Sequence, residues 1–231
     1  MAPKVQHDIF ALTLEEGLPP DVSLSRLARA LRRAVMARAQ AIIGPRSPLP
    51  SYFHGHDCDD AAPDDKSRAH IAFSVDAASA RLLIVPPHVL ERQTRPGRDA
   101  RIHLETLERA LEDLTVLRVK GMGALHLRST PVLPEDPLLR PSRVFTSESD
   151  YVVTRHAKRM SAVEAVLIDV RRECDRRGLP RPTDIRVTSV RGVAGVGVVA
   201  RIELTFAVAV PGPLLLGKTR YLGGGLLAPA W

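Results

Sequence analysis

The chain reads Gly212-Pro-Leu-Leu-Leu-Gly-Lys-Thr-Arg-Tyr-Leu-Gly-Gly-Gly-Leu-Leu-Ala-Pro-Ala-Trp231 shortly after residues 198–210, a long run typical of a β-strand. This segment holds five of the 15 glycines in the chain and only two charged residues, Lys218 and Arg220. Because glycine permits a positive φ and has no side chain, a phosphate group can approach bare backbone N–H groups in such a loop. We therefore predict a C-terminal glycine-rich loop that binds phosphate, with the two cations neutralising its charge. The alternative is a glycine-rich hairpin that only closes the fold.

The N-terminal half of the chain alternates strand and helix patterns. Short apolar runs bounded by turn residues indicate strands, and apolar residues at helical spacing indicate two helices. We predict strands at residues 7–14, 69–75, 81–85 and 124–128, and helices from Ser23 or Ser25 to about Ile43 and over residues 99–120. This β-α-β-β-α-β order is that of a ferredoxin-like unit.

The second half repeats much of this pattern. We predict strands at residues 151–154, 185–190 and 198–210, and a helix over residues 161–178. Ser161 lies three residues before Glu164, as in a capping box, and Gly178 follows the last turn. We therefore predict an α+β fold of two tandem ferredoxin-like (RRM-like) βαββαβ modules, at residues 1–130 and 131–231, with the glycine-rich loop at the end of the second.

Composition narrows the class of protein. With 231 residues and 45% hydrophobic residues, the chain can bury one large core or two small ones. Its net charge of +7 favours a polyanionic partner. Two cysteines are too few for a disulfide framework. Since no apolar run reaches the roughly 20 residues that span a bilayer, we expect a cytoplasmic protein with no membrane partner.

The first predicted helix carries a one-sided set of cations. Asp21 is the only acidic residue nearby. A solvated helix face normally mixes both charge signs, so this face favours a polyanion, with plain solubility as the alternative. The cations on this helix are Arg26, Arg29, Arg32, Arg33 and Arg38.

His54 and His56 follow that helix in a glycine-containing loop. A neutral imidazole can take a proton near pH 7, and RNA offers its own 2′-hydroxyl as a nucleophile, so one base and nearby cations suffice for cleavage. Two other interpretations stay open, a loop with two solvent histidines and a metal site. The metal site would use His54, His56, Asp57, Cys58 and Asp59, although ligands so close in sequence seldom fit one coordination sphere.

The sequence lacks the motifs of several other catalytic chemistries. The four-residue motifs beginning at His70 and His126 lack the hydroxyl that a two-histidine phosphoesterase needs at the third position. There is no Walker-type loop, no dinucleotide fingerprint and no nucleophile elbow. We expect no cofactor and no metal.

The C-terminal glycine-rich segment resembles that of the RAMP superfamily of CRISPR-associated proteins. Within that superfamily, the sequences Gly55-His56-Asp57, His70-Ile-Ala-Phe and Tyr151-Val-Val-Thr-Arg-His-Ala-Lys-Arg are similar to the repeat-RNA endoribonuclease half of fused proteins in some type I CRISPR systems. A stand-alone processing enzyme of type IV systems is an equally good relative. The resemblance covers most of the chain, from about residue 50 onward.

The resemblance implies two ferredoxin-like folds, cleavage of CRISPR repeat RNA and retention of the guide RNA by its 3′ hairpin. Because attack by the 2′-hydroxyl needs no metal, we predict a metal-independent endoribonuclease that cleaves precursor CRISPR RNA at the repeat stem-loop. The resemblance places a general base near the end of the first helix, where His56 and, second, His54 fall. Some relatives depend on arginines, for which Arg26, Arg33 and Arg38 are the catalytic candidates. Residues expected to bind RNA are Arg29, Arg155, His156, Lys158, Arg159, Gly217, Lys218, Arg220, Gly223, Gly224 and Gly225.

The expected partners are the CRISPR repeat RNA (the crRNA hairpin) and other subunits of a CRISPR effector complex. The alternative function is a non-catalytic crRNA-binding subunit of such a complex, which binds the hairpin and leaves it intact.

Overall fold

The chain forms two compact units, one running from Asp8 to Pro131 and the other from Val132 onward. Each unit combines helices with antiparallel strands, so the fold belongs to the mixed α+β class, as predicted. The structure is a computed structural model and describes residues 8–55, 69–92, 97–155 and 159–230.

Strands and helices alternate along the N-terminal unit. In chain order its elements are β1 (Phe10–Leu14), α1 (Leu24–Ile43), α2 (Ser51–His54), β2 (Ala72–Asp76), β3 (Arg81–Val85), α3 (Pro87–Leu90), α4 (Arg98–Leu111), β4 (Val116–Val119) and β5 (Gly123–Pro131). The strands pair antiparallel in the order β2-β3-β1-β5-β4. Helix α1 therefore connects β1 to β2, and α4 follows the β2–β3 hairpin.

Helix α1 follows the predicted apolar spacing. Leu27, Leu31 and Val35 recur every four residues and are fully buried, because side chains at this spacing share one face of a helix. They pack in a single hydrophobic core with inward-facing residues of β1 and β2. Gly44 ends the helix with a φ of 101°, which side-chain-bearing residues rarely adopt. The prediction of a helix to about residue 43 is confirmed.

Helix α4 is shorter than predicted. It ends at Leu111 rather than at residue 120, and Val116–Val119 is a strand that pairs with β5. Leu117 and Val119 are buried and alternate with exposed residues, which is the period of a strand. The apolar residues after Leu111 also fit a helical period, but the β-branched valines favour the extended backbone. The prediction of a helix over 112–120 is therefore wrong.

The C-terminal unit contains one long helix and several strands. In chain order its elements are β6 (Ser142–Ser147), β7 (Tyr151–Val152), α5 (Ala162–Arg176), β8 (Pro182–Val193), β9 (Gly197–Val210), β10 (Leu214–Leu215) and β11 (Leu226–Pro229). The sheet has the order β10-β11-β6-β9-β7, and β8 also pairs with β9. Strand β9 is thus the centre of the sheet, with β8 along one edge and β6 and β7 along the other.

Helix α5 begins as predicted. The Ser161 side chain accepts a hydrogen bond from the Glu164 backbone N–H, and the Glu164 side chain accepts one from Ser161 N–H, which completes a capping box. The Ser161 hydroxyl also donates to the Glu164 carboxylate, and this bond, together with the one from Ser161 N–H, holds the pKa of Glu164 below its usual value. Gly178 follows the last turn with a φ of +62°. Both ends of the predicted helix are confirmed.

The core of the C-terminal unit lies between α5 and β9. Val166, Val170 and Cys174 of α5 are fully buried. They pack with buried residues of β9, which are Val198, Ala200, Ile202, Leu204, Phe206 and Val210. Burial raises the pKa of the Cys174 thiol to about 12, so this side chain behaves as a small apolar group. Among the helices in the described ranges, none has the length and apolar character needed to cross a bilayer.

Candidate nucleic-acid interface

Three arginines form a stripe along the solvent face of α1. Arg26, Arg29 and Arg33 are all exposed, and their spacing of three and four residues places them on one side of the helix. The helix contains no acidic residue, so nothing within it offsets their charge. We call Arg26, Arg29 and Arg33 the arginine stripe. Such a stripe attracts a polyanion such as the RNA backbone.

The turn between β4 and β5 lies beside the N-terminal end of the arginine stripe. A Cβ placed on Gly121 would lie 3.9 Å from Nη1 of Arg26, so the turn between β4 and β5 sits beside that arginine. Lys120 precedes Gly121 and is exposed. Sequence analysis missed this lysine because it assigned residue 120 to a helix rather than to a turn beside α1.

Arg38 lies outside the arginine stripe. Its Nε donates a hydrogen bond of 2.6 Å to the carbonyl oxygen of Ala110 in α4, and the side chain is partly buried. The bond ties α1 to α4, which is a structural role that the sequence pattern did not reveal. The suggested catalytic role of Arg38 stays a prediction.

His54 is the last residue of the short helix α2. Its Nε2 lies 2.7 Å from the carbonyl oxygen of Leu49. Because a carbonyl oxygen only accepts hydrogen bonds, Nε2 carries the proton and the basic lone pair of the neutral ring is on Nδ1. The backbone thus fixes the tautomer in which Nδ1 can act as a base. His56, the other predicted base, lies outside the described residues.

Helix α2 is held in place by the start of the segment leading to β2. Ile71 N donates a 3.0 Å hydrogen bond to the carbonyl oxygen of Tyr52. Gly55 follows the helix with a φ of +77°, and a Cβ there would lie 2.3 Å from Nδ1 of His70. Only glycine therefore lets the His70 ring pack so closely against this turn.

His70 and His103 join His54 around α2. The ring of His103 packs against the Tyr52 ring, with centroids 5.0 Å apart, and His70 is buried over Gly55. Sequence analysis singled out only His54 and His56 here. No spacing in the sequence indicates that His70 and His103 pack against α2 and Gly55, because these contacts are tertiary.

The glycine-rich segment packs against its own unit. Gly217 N donates to Oε2 of Glu173 at 3.3 Å, and Lys218 N donates to the carbonyl oxygen of Val152 at 2.8 Å. Gly224 N donates to the carbonyl oxygen of Thr219, and Gly225 N to that of Asp150. The prediction of bare N–H groups is wrong for these four amides, because the protein itself supplies their acceptors.

The close packing explains why this segment is rich in glycine. A Cβ at Gly217 would lie 2.7 Å from the carbonyl oxygen of Val152, and one at Gly224 would lie 2.0 Å from Oγ1 of Thr219. At Gly225 the carbonyl oxygen of Leu216 would be only 1.7 Å away. The missing side chains make room for neighbouring protein atoms at these positions.

We expect Gly225→Ala to lower the free energy of unfolding by about 3 to 5 kcal/mol, because an added methyl meets backbone and the φ of +69° disfavours alanine. Gly195→Ala is the matched control, since Gly195 has a similar φ of +73° but open space around the added Cβ. That variant should lose only about 1 to 2 kcal/mol. Denaturant unfolding measures both, and equal losses would contradict the packing argument.

The two cations of the glycine-rich segment differ in exposure. Lys218 is exposed. Arg220 keeps only 13% of its side chain exposed, with Nη1 3.7 Å from Oε2 of the buried Glu173 and 2.9 Å from the carbonyl oxygen of Gly217. Its guanidinium also lies 4.4 Å from the centre of the Tyr221 ring. Of the two side chains predicted to neutralise phosphate, only Lys218 faces solvent freely.

The basic segment 155–159 begins just after Thr154, which is hydrogen-bonded to helix α5. Asp169 of α5 accepts hydrogen bonds from Thr154 N at 2.8 Å and from the Tyr151 hydroxyl at 2.6 Å. Burial and the neighbouring carboxylate raise the pKa of Tyr151, so its hydroxyl stays a donor. Arg155 and Arg159 are exposed. The other two predicted RNA-binding residues, His156 and Lys158, lie outside the described residues.

The metal-site interpretation concerns residues that are mostly outside the described ranges. His56, Asp57, Cys58 and Asp59 all fall there. Within the ranges that are described, no three His, Cys, Asp or Glu side chains are grouped so that they could hold a metal ion.

Neither a family model nor a curated protein sequence matches the chain. Several solved structures match nearly the whole chain, among them the following three. Csf5, a CRISPR-Cas type IV Cas6 crRNA endonuclease, shares 16% identity over 96% of this chain and 98% of its own, with a TM-score of 0.43. A RAMP protein binding different RNA substrates shares 12% identity over 96% of this chain and 98% of its own, with a TM-score of 0.49. The product of a Cas6-related gene from Pyrococcus furiosus shares 12% identity over 95% of this chain and 96% of its own, with a TM-score of 0.44.

Proposed function

We propose that this chain is a metal-independent endoribonuclease that cleaves precursor CRISPR RNA at the base of a repeat stem-loop and keeps the resulting hairpin. The observation that carries the proposal is the arginine stripe, an exposed row of cations on a helix with no acidic residue. The sequence resemblance to repeat-RNA endoribonucleases supplies the substrate class. His54, in the same unit, supplies a base with a fixed tautomer.

The proposed reaction uses the RNA as its own nucleophile. A histidine base, His56 or His54, takes the proton of the 2′-hydroxyl, and the freed oxygen attacks the adjacent phosphorus. The bond from phosphorus to the 5′-oxygen breaks and that oxygen takes up a proton from water, leaving a 2′,3′-cyclic phosphate and a 5′-hydroxyl end. Arg26 and Arg33 stabilise the negative charge of the phosphorane, since a guanidinium can bind two phosphate oxygens at once. At His54 the proton would go to Nδ1.

The C-terminal unit would hold the RNA backbone. Lys218, Arg155 and Arg159 are exposed cations of this unit. The glycines at 217 and 223–225 would shape the turn that presents Lys218, while Arg220 braces that turn against Glu173. Retention of the hairpin after cleavage follows if these contacts persist in the product.

Each unit would be a ferredoxin-like module, with domains at residues 1–130 and 131–231. In the N-terminal unit, β1, α1, β2, β3, α4 and β5 follow the β-α-β-β-α-β order. Strand β4 would then be an addition at the edge of that module, paired with β5. The C-terminal unit has the same kind of layers, a helix packed on an antiparallel sheet.

The test uses a labelled repeat hairpin RNA incubated with the protein in EDTA. We expect one cut at the base of the stem, a cyclic phosphate on the 5′ product and no cut when the 2′-hydroxyl at that position is replaced by hydrogen. Random RNA of equal length is the control and should bind less well at ~150 mM salt, where phosphate contacts alone are weakened. Cleavage of the 2′-deoxy substrate, or loss of cleavage in EDTA, contradicts the mechanism.

The second candidate is a non-catalytic crRNA-binding subunit of a CRISPR effector complex. It is favoured by the positions of Arg38 and Arg220, whose guanidinium groups are engaged by protein acceptors rather than presented to a ligand. This function predicts tight binding of the hairpin in the same gel, with the RNA left intact. It also predicts that other complex subunits bind the protein–RNA product.

A further inference from the structure

One carboxylate in the C-terminal unit orients two exposed arginines. Oδ1 of Asp150 accepts a hydrogen bond of 2.7 Å from Nε of Arg201, and Oδ2 accepts one of 2.5 Å from Nη2 of Arg191. The two guanidinium groups therefore sit side by side on the same acid. None of these three residues was singled out from the sequence.

The rest of the Arg201 guanidinium is also fixed. Nη1 donates to the carbonyl oxygens of Ser147 and Glu148, at 3.0 and 3.2 Å. Within the described part of the chain, the remaining N–H groups, on Nη2 of Arg201 and on Nε and Nη1 of Arg191, meet no protein acceptor. Five N–H hydrogens of two oriented guanidiniums are thus available to a ligand.

The pair lies on the sheet face opposite α5. Ala200 and Ile202, the neighbours of Arg201 in β9, pack in the core beside α5, so Arg201 points to the other face. Arg191 pairs in register with Val199, an odd-numbered residue of β9, and shares that face. The side chains keep 55% exposure at Arg191 and 41% at Arg201. A large ligand can therefore reach both.

The charge balance distinguishes this group from an ordinary surface ion pair. One arginine would neutralise Asp150, whereas two leave a net positive charge held in a fixed geometry. Other arginines of the β8 region have carboxylates of their own, Arg181 with Asp175 and Arg186 with Glu203. Two preorganised guanidiniums match the unesterified oxygens of a phosphodiester, and little side-chain entropy remains to be lost on binding.

We infer that Arg191 and Arg201, oriented by Asp150, bind a backbone phosphate of RNA on the face of the C-terminal sheet opposite α5. The inference rests on the proposed RNA-binding function and adds a site to it. It concerns binding only, so it can be tested whether or not the protein cleaves RNA.

The test is the affinity for labelled hairpin RNA, measured by fluorescence anisotropy across salt concentrations. Arg191→Gln with Arg201→Gln should weaken binding about 10- to 100-fold and reduce the slope of log K against log salt by about 0.7 to 1.8. Arg181→Gln is the matched control, because that arginine is also exposed and paired with a single acid. It should stay within about twofold of the parent protein.

Asp150→Asn separates orientation from charge. Removing the acid raises the net positive charge of the protein, so an effect of charge alone predicts tighter RNA binding. Loss of the arginine orientation predicts weaker RNA binding. We expect the weaker binding. Because Arg201 also bonds to backbone carbonyls, Arg191→Gln alone is measured too, with thermal unfolding as a folding check. It should weaken binding at least about threefold.

Parent-like affinity of the Arg191→Gln variant, or tighter binding by Asp150→Asn, would overturn the inference while leaving the proposed function intact. A parent protein that binds RNA and does not cut it overturns the proposed nuclease activity but not this site. A parent protein that binds no RNA overturns both.

Discussion

Replacing His54 and His56 together with alanine is expected to slow cleavage of the repeat RNA by about 10²- to 10⁴-fold in EDTA, the usual contribution of a general base. At His54 the reason is structural. The Leu49 carbonyl holds the proton on Nε2, so Nδ1 is the atom that can accept the proton of the 2′-hydroxyl. The measurement is single-turnover cleavage of labelled RNA by each single variant and by the double variant.

His126→Ala is the control for this experiment. His126 is an exposed histidine of the same unit, and its Nδ1 lies 2.6 Å from Oε1 of Glu16, which raises the pKa of the ring. The cleavage rate of that variant should stay within about twofold of the parent protein. RNA affinity is measured alongside, because a histidine base predicts a slower cut at unchanged affinity. Full activity of the double variant would remove the histidine mechanism.

Replacing the arginine stripe by glutamine, as Arg26→Gln with Arg29→Gln and Arg33→Gln, should weaken binding of the repeat RNA by about 100-fold near physiological salt. Each arginine removed takes away one phosphate contact, so the slope of log K against log salt should fall by about 2 to 2.7. The stripe side chains are exposed and, among the residues that the structure describes, bond to no core group, so the fold should persist. Anisotropy titrations at several salt concentrations measure both quantities.

Helix α4 of the same unit offers a matched control. Arg98, Arg101 and Arg109 are also exposed, but the acidic residues Glu105 and Glu108 lie among them. Changing these three to glutamine removes the same formal charge from the chain. If binding depends on net charge alone, both triple variants lose the same affinity, and the assignment of the interface to α1 fails.

Elements whose patterns repeat over several turns were predicted well. The spacing of Leu27, Leu31 and Val35 predicts helix α1. The capping box and Gly178 predict the two ends of helix α5. These signals are local, so the sequence contains them in full. Helix α4 was predicted too long because leucines at 111, 114 and 117 fit a helical period even though only the first lies in the helix.

Strand β6 was missed because its residues stand after a proline-rich loop and show no clear alternation. It forms through its neighbours, pairing with β9 on one side and β11 on the other. Tertiary pairing of this kind has no local signature in a sequence.

The candidate interface was predicted in part. The sequence places five arginines on one face of α1. The structure exposes three of them, the arginine stripe, whereas Arg32 and Arg38 are half-buried. Whether a given arginine faces solvent or a protein acceptor depends on residues far away in the chain. Arg38 meets Ala110 of another helix, and Arg220 meets Glu173. The sequence alone does not distinguish arginines that face solvent from arginines that bond to protein acceptors.

The tightness around Gly225 has an evolutionary consequence. Selection for folding alone would keep a glycine wherever an added methyl collides with the Leu216 carbonyl, even in a descendant that had lost every ligand. Invariance of this glycine among relatives would therefore report a constraint of folding. Variation at Lys218, which is exposed, would instead report on whether the RNA binding that we propose for this turn is under selection.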